Sequence, residues 1–278
     1  MEYSPKKMND ILEQNNFNLK KKFGQNFIVD ENIINSIVTK ALIDKETLVI
    51  EIGPGAGSLT AKLAESSKQV LCYEIDTTLK EILNENLKQY NNVDIIYQDF
   101  LEADVINDIK KYNYNKLYIV ANLPYYITTP IIINVIEKKL NVDKMVVMVQ
   151  KEVGDRFKAN VGTKDYNSLS IYLNYYFNVK KIMDISRNIF IPKPNVDSIV
   201  VEFTKKENSY NLKNEEIFFK LIRDSFTQKR KTIRNNLKNY DLNIIEEILK
   251  KHNQDLNTRA EQITIETFVE IANNLTTI

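Results

Sequence analysis

Cysteine and histidine each occur once in this chain, as Cys72 and His252, and that scarcity removes several chemistries at the outset. A single thiol allows neither a disulfide framework nor a thiolate metal site, and Cys72 lies in the strand-like run QVLCYEID, where a buried structural thiol is expected. The one imidazole, on a polar stretch near the C-terminus, argues against His-based general-base chemistry and most zinc or iron sites, so no metal is expected. No apolar run approaches the roughly 20 residues of a membrane span, and the opening MEYSPKKMNDILEQ lacks the short apolar core of a secretory signal. A cytoplasmic protein with no membrane partner is expected. Net charge is +1, so nothing global points to a polyanion, and basic residues have to be read by position. Glycine is scarce too, with six in the chain and three of them inside the stretch IEIGPGAG.

What is present is a chain of 278 residues, 43% of them hydrophobic, enough to bury a sizeable core in one or two domains. Strand-length apolar runs (TLVIEI, QVLCYEI, VDIIYQ, KLYIVANL, KMVVMVQ) alternate with stretches of helical period (SLTAKLAES, TLKEILNENLKQY, PIIINVIEKKL). That alternation predicts a doubly wound α/β fold with a mostly parallel sheet. VKKIMDI and VDSIVVEFTKK also read as strands, and the segment between them is short for a helical crossover, so an antiparallel pair is expected at one end. After about Lys205 helical periodicity takes over without a strand-like run, which predicts two domains, 1–205 and a smaller all-helical 206–278.

In LVIEIGPGAGSLT, Gly53, Gly55 and Gly57 stand at a strand-to-helix turn, where the backbone can adopt positive φ and approach a ligand closely. The spacing is G-x-G-x-G, not the G-x-G-x-x-G of pyrophosphate-binding dinucleotide folds, which favours a nucleoside-type ligand over a hydride carrier. The next strand ends in CYEID, placing Glu74 where a carboxylate accepts from both hydroxyls of a ribose. The third ends in YQDFL, placing Asp99 at the same sheet edge, within reach of an adenine amino group. Ile75 and Phe100 flank those two acids. This order resembles that of the S-adenosylmethionine-dependent methyltransferases.

The fourth strand runs into NLPYY, so Asn122, Leu123, Pro124 and Tyr125 are expected at the same edge. Pro124 fixes φ and supplies no donor, which leaves the Asn122 side chain and the Leu123 carbonyl as two outward acceptors. Two acceptors suit an exocyclic amine with two N–H bonds, and Tyr125 offers a flat face for a base. Such a transfer needs no strong base, because the nitrogen becomes cationic during the reaction and sheds its proton afterwards.

KKFGQNFIVD, EIGPGAGSLT, NLPYYITTPII, FIPKPNVDSIVVEF and FTQKRKTIRNNL occur in the order found in the bacterial small-subunit rRNA adenine dimethyltransferases, the kasugamycin-sensitivity methylases, which the chain resembles from about residue 17 onward. The resemblance implies a Rossmann-like class I methyltransferase sheet with a C-terminal helical RNA-binding domain. It implies transfer of methyl groups from S-adenosylmethionine to N6 of two adjacent adenosines in the 3′-terminal hairpin loop of 16S rRNA, within an immature 30S subunit, by a monomer. Cofactor contacts carried over by motif are Asn26, Ile28, Gly53, Glu74, Asp99 and Asn122, with the base against Asn122, Leu123, Pro124 and Tyr125 and a second aromatic wall at Phe190. The chain departs from the family's usual pattern in carrying Ser186 and Arg187 where proline is common.

Two basic runs fit a polyanion partner: Lys20, Lys21 and Lys22, then Lys229, Arg230, Lys231, Arg234 and Lys238 without an intervening acid. Both are expected to hold phosphates while an adenosine is turned out of its stack. Competing readings are a large-subunit rRNA adenine methyltransferase of the antibiotic-resistance type, and a non-catalytic assembly or transcription factor on the same fold. The intact Glu74, Asp99 and NLPY argue against the latter.

Overall fold

The computed structural model describes residues 10, 11, 13, 17, 24–207 and 210–275. Lys20, Lys21 and Lys22 lie outside the described residues. The chain divides into two compact units, one of residues 1–154 and 180–204 and the other of residues 155–179 and 205–278.

The first unit is built on parallel strands β2 (Thr47–Ile52), β3 (Gln69–Tyr73), β4 (Val93–Ile96), β5 (Lys116–Asn122) and β6 (Lys144–Gln150). A short β1 (Phe27–Ile28) precedes them and pairs antiparallel with β8 (Phe190–Ile191), apart from the main sheet. The main sheet has the order β4-β3-β2-β5-β6 and then β9 (Ser198–Lys205) and β7 (Phe177–Ile185), with β9 antiparallel to β6. All six residues of β2 are buried, as expected for a central strand covered on both faces.

Helices follow the strands as the periodicity predicts. Asp30 caps α1 (Glu31–Ala41), whose buried face is Ile34, Ile37, Val38 and Ala41, the apolar spacing of a helix lying on a sheet. α2 (Ser58–Ser66) begins directly after the glycine turn, and α3 (Lys80–Leu87), α4 (Val105–Ile109) and α5 (Thr128–Glu137) complete the crossovers. Pro130 falls in the first turn of α5, where a missing N–H costs no helical bond. Because β2 pairs with β3 on one side and β5 on the other, strand order reverses beside β2 and opens a crevice beyond the carboxyl ends of those strands.

After α6 (Lys151–Phe157) come α7 (Ser168–Tyr176), α8 (Glu215–Ser225), α9 (Ile233–Asn236), α10 (Leu242–Lys251) and α11 (Ile265–Asn274). The single boundary expected at Lys205 is corrected here, since residues 155–179 belong with the helical unit. Ile171 and Tyr175 of α7 share one buried cluster with Phe218, Phe219, Ile222 and Phe268, and the rings of Tyr175 and Phe218 are 5.1 Å apart. That apolar complementarity is long-range and leaves no local pattern in the chain. Among the described residues, no helix is long and apolar enough to cross a membrane.

Candidate active site

A cleft of about 920 Å3, including its open mouth, lies at the strand-order reversal of the first unit. Asn26, Ile28, Gly53, Gly55, Glu74, Ile75, Asp99, Phe100, Asn122, Leu123 and Pro124 all line it, so residues from five separate motifs converge on one cavity. Gly53 and Gly55 have φ of 73° and 60°, in the left-handed region that favours glycine. A Cβ on Gly53 would come 3.9 Å from Pro124, narrowing the space between the glycine turn and the NLP segment.

Glu74, only 4% exposed, accepts the Asp76 N–H at Oε1 (2.8 Å) and the Gly55 N–H at Oε2 (3.2 Å). Burial raises its pKa to about 7 despite those two donors, which favour the ionised form. Glu51, also on the cleft wall and 1% exposed, is raised to about 8, chiefly by desolvation; its Oε2 stands 3.8 Å from the Cys72 thiol, which is buried as expected. Asp99 uses Oδ1 to accept the Leu101 N–H at 2.9 Å, the loop-capping bond typical of an Asx turn.

The end of β5 is held from outside the sheet. Asn122 Nδ2 donates to the Asn26 carbonyl at 2.8 Å. A carbonyl can only accept, so the amide nitrogen is committed to it and Oδ1 is left as an acceptor, with no donor to it among the described residues. The Leu123 carbonyl likewise receives no hydrogen bond among the described residues, whereas the Pro124 carbonyl is taken by Ile127 N–H (3.2 Å) and the Thr128 hydroxyl (3.1 Å).

Two expected wall residues are not on the cleft. The Tyr125 hydroxyl is 2.8 Å from the Ser198 hydroxyl, at the start of β9, and burial raises its pKa. Tyr126, 53% exposed, lines the cleft instead. Phe190 is 3% exposed and packs in the core with Ile28, Ile34 and Val200, because its strand pairs Phe190 with Ile28 and turns the ring inward. Lys229, Arg230, Lys231, Arg234 and Lys238 are all exposed on the helical unit, and none pairs with a carboxylate among the described residues. Sequence reasoning left out Gln25 and Phe27, which line the cleft beside Asn26; their presence in the same QNF run was the available signal. Among the described residues no group of three or more His, Cys, Asp or Glu side chains could hold a metal.

A mostly parallel seven-stranded sheet, with β9 antiparallel near one edge and a cleft at the order reversal, defines the class I S-adenosylmethionine-dependent methyltransferase fold. The chain belongs to the ribosomal RNA adenine dimethylase family, whose sequence model matches residues 16–277. Its relatives include the ribosomal RNA small subunit methyltransferase A of Macrococcus caseolyticus, 45% identical over 99% of this chain and 97% of that protein. The protein of the same name from Staphylococcus aureus strain bovine RF122 is 44% identical over 96% of this chain and 93% of its own length. Among solved structures, a dimethyladenosine transferase from Plasmodium falciparum superposes with a TM-score of 0.73 at 27% identity, covering 88% of this chain and 95% of that one. The 23S rRNA methyltransferase ErmE superposes at 0.70 with 24% identity, covering 91% of this chain and all of that one, a likeness of fold alone.

Proposed function

We propose that the chain methylates N6 of two adjacent adenosines in the 3′-terminal hairpin loop of 16S rRNA, dimethylating each, late in assembly of the 30S subunit and as a cytoplasmic monomer. The name carried by relatives of 43–45% identity supports the small-subunit substrate. The observation that carries the chemistry is the commitment of the Asn122 amide nitrogen to the Asn26 carbonyl, which leaves Oδ1 and the Leu123 carbonyl as paired acceptors at the cleft.

S-adenosylmethionine, when bound, supplies an electrophilic methyl group. The residues present suit it: a cradle at Gly53 that a Cβ would narrow, Glu74 for the ribose hydroxyls, Asp99 for the adenine amino group, and Asn26 and Ile28 also lining the cleft. In the first transfer Asn122 and Leu123 accept the two N–H bonds of the target amine, and in the second one of them accepts the N–H that remains, which raises electron density on the nitrogen and fixes its direction of attack. Water takes the surplus proton after transfer, consistent with a chain whose only histidine is bonded to Glu270 in the helical unit. Tyr125 and Phe190 would flank the base only after turning from their present packing. Phosphates are held by Lys20, Lys21 and Lys22 and by Lys229, Arg230, Lys231 and Arg234.

Methyl incorporation from labelled S-adenosylmethionine into 30S particles lacking the modification tests this reading. Label at both adenosines of the 16S hairpin loop is expected; no incorporation, or label only in naked large-subunit rRNA, would overturn it.

A further inference from the structure

Gln25, Asn26 and Phe27 are consecutive, and each touches the end of a different strand. Gln25 Nε2 donates to Asp76 Oδ2 at 2.8 Å, beyond β3. The Asn26 carbonyl accepts from Asn122 Nδ2 at 2.8 Å, at the tip of β5. The Phe27 ring lies against the glycine turn beyond β2, so closely that a Cβ on Gly55 would come within 2.8 Å of it. Behind them the segment is anchored, with Phe27 paired to Ile191, Ile28 to Phe190, and the Val29 N–H donating to the Ile189 carbonyl at 2.9 Å.

The Gln25 bond ends on a built turn. Asp76 is 2% exposed; its Oδ1 accepts from the Thr78 N–H (3.2 Å) and hydroxyl (2.6 Å), and its own N–H donates to Glu74 Oε1 at 2.8 Å. A chain of bonds therefore runs from Gln25 through Asp76 to the Glu74 carboxylate and on to the Gly55 N–H. One residue further along the same segment, the Asn26 carbonyl sets which atom of the Asn122 amide faces the cleft. Both partners of Gln25 and Asn26 are far away in sequence, by 51 and 96 positions, so the segment is what joins them.

We propose that Gln25 is a positioning residue, the latch of a clasp formed by residues 24–28, which holds the Glu74 turn and the Asn122 amide in register with one another. This deepens, and rests on, the reading of the cleft as the site of methyl donor and adenine. Gln25 acts through Asp76 and through the neighbouring carbonyl of Asn26. Its amide-to-carboxylate bond is charge-assisted, which makes it stronger than a neutral pair. Without that bond the segment keeps its pairing to β8 but is held less firmly to the turn beyond β3, so both the Glu74 carboxylate and the Asn122 amide gain alternative orientations.

The test measures S-adenosylhomocysteine affinity by calorimetry, together with the Asn122 side-chain amide resonance, assigned by its loss in Asn122→Asp. Gln25→Leu is expected to weaken the affinity about tenfold, the worth of one hydrogen bond to a charged group, and to move the Asn122 amide signal in the free protein. Gln25→Glu keeps the length and packing but replaces the donor with a second carboxylate facing Asp76, so the same two changes are expected of it should Gln25→Leu fold poorly. Affinity within about twofold of wild type, or weakened affinity with the Asn122 signal unmoved, would overturn the clasp. A wild-type protein that binds no S-adenosylhomocysteine would instead defeat the donor-site reading, and the clasp with it.

Discussion

The side chain of Asn122 and the main chain of Asn26 are joined by one hydrogen bond of 2.8 Å, and that bond commits the amide nitrogen and leaves Oδ1 as an acceptor. On the proposed reading, Asn122→Ala removes one of two acceptors for the target amine, whose effect is greatest as its nitrogen gains charge. Turnover on undermethylated 30S subunits should fall by at least about 100-fold, with S-adenosylhomocysteine affinity reduced only about threefold. Equal losses in both measurements would make Asn122 chiefly a cofactor ligand.

Glu74 carries the opposite expectation and a pH dependence. Burial raises its pKa to about 7, so the carboxylate proposed to accept two ribose hydroxyls is a minor form at about pH 6 and dominant at about pH 8. Affinity for S-adenosylhomocysteine should rise about tenfold over that interval. Glu74→Gln should bind weakly and lose the rise, while a flat profile in wild type would remove the ribose assignment.

Stability of the ligand-free protein should move the other way. Glu51 and Glu74 have folded-state pKa values raised to about 8 and about 7 from an ordinary 4.5, so the folded state retains protons that the unfolded chain has lost. That stabilisation is complete below about pH 4.5 and is withdrawn as pH climbs through the raised values. Between about pH 6 and 8 the loss is on the order of 3 to 4 kcal/mol, about 2 of it from Glu51 and about 1 from Glu74. Thermal melts should show a lower Tm at the higher pH, and Glu51→Gln should flatten that trend.

Gly55→Ala should do two kinds of harm. A left-handed φ of 60° costs an alanine about 1–2 kcal/mol, and its Cβ would meet the Phe27 ring at 2.8 Å. A lower Tm together with weaker S-adenosylhomocysteine binding is expected, because relief of the clash displaces the segment that carries Asn26.

Changing Lys229, Arg230 and Arg234 together to Ala should leave the fold intact, since all three are exposed. Binding to immature 30S subunits should weaken, and the slope of log affinity against log salt should become shallower by about 2 to 3. Unaltered binding at moderate salt would remove these residues from the RNA-contacting surface.

Much of the first unit is legible in the chain because its signals are short-range. Thr47–Ile52 is almost continuously apolar and forms a central strand, Ser58–Ser66 has helical period and forms the helix after the glycine turn, and Glu74, Asp99 and Asn122 each mark the end of a strand. Strand–helix alternation then puts those ends at one edge. Phe190 departs from its expected place for a different reason: a strand has two faces, and its pairing with Ile28, not its motif, chose the buried one. The Tyr125 face is likewise decided by a hydroxyl partner on Ser198, 73 positions further along the chain.

By itself the sequence determined which segments become strands and helices, and that their tips would carry a glycine turn, two acids and an Asn-Pro turn, because period, turn chemistry and residue inventory are local properties. Only the tertiary structure decided that residues 155–179 pack with the helical unit, that Phe190 turns into the core, and that Gln25 and Asn26 bind Asp76 and Asn122. Those outcomes depend on which surfaces separate elements present to one another once the sheet has twisted and its layers have closed, and no window along the chain contains both partners.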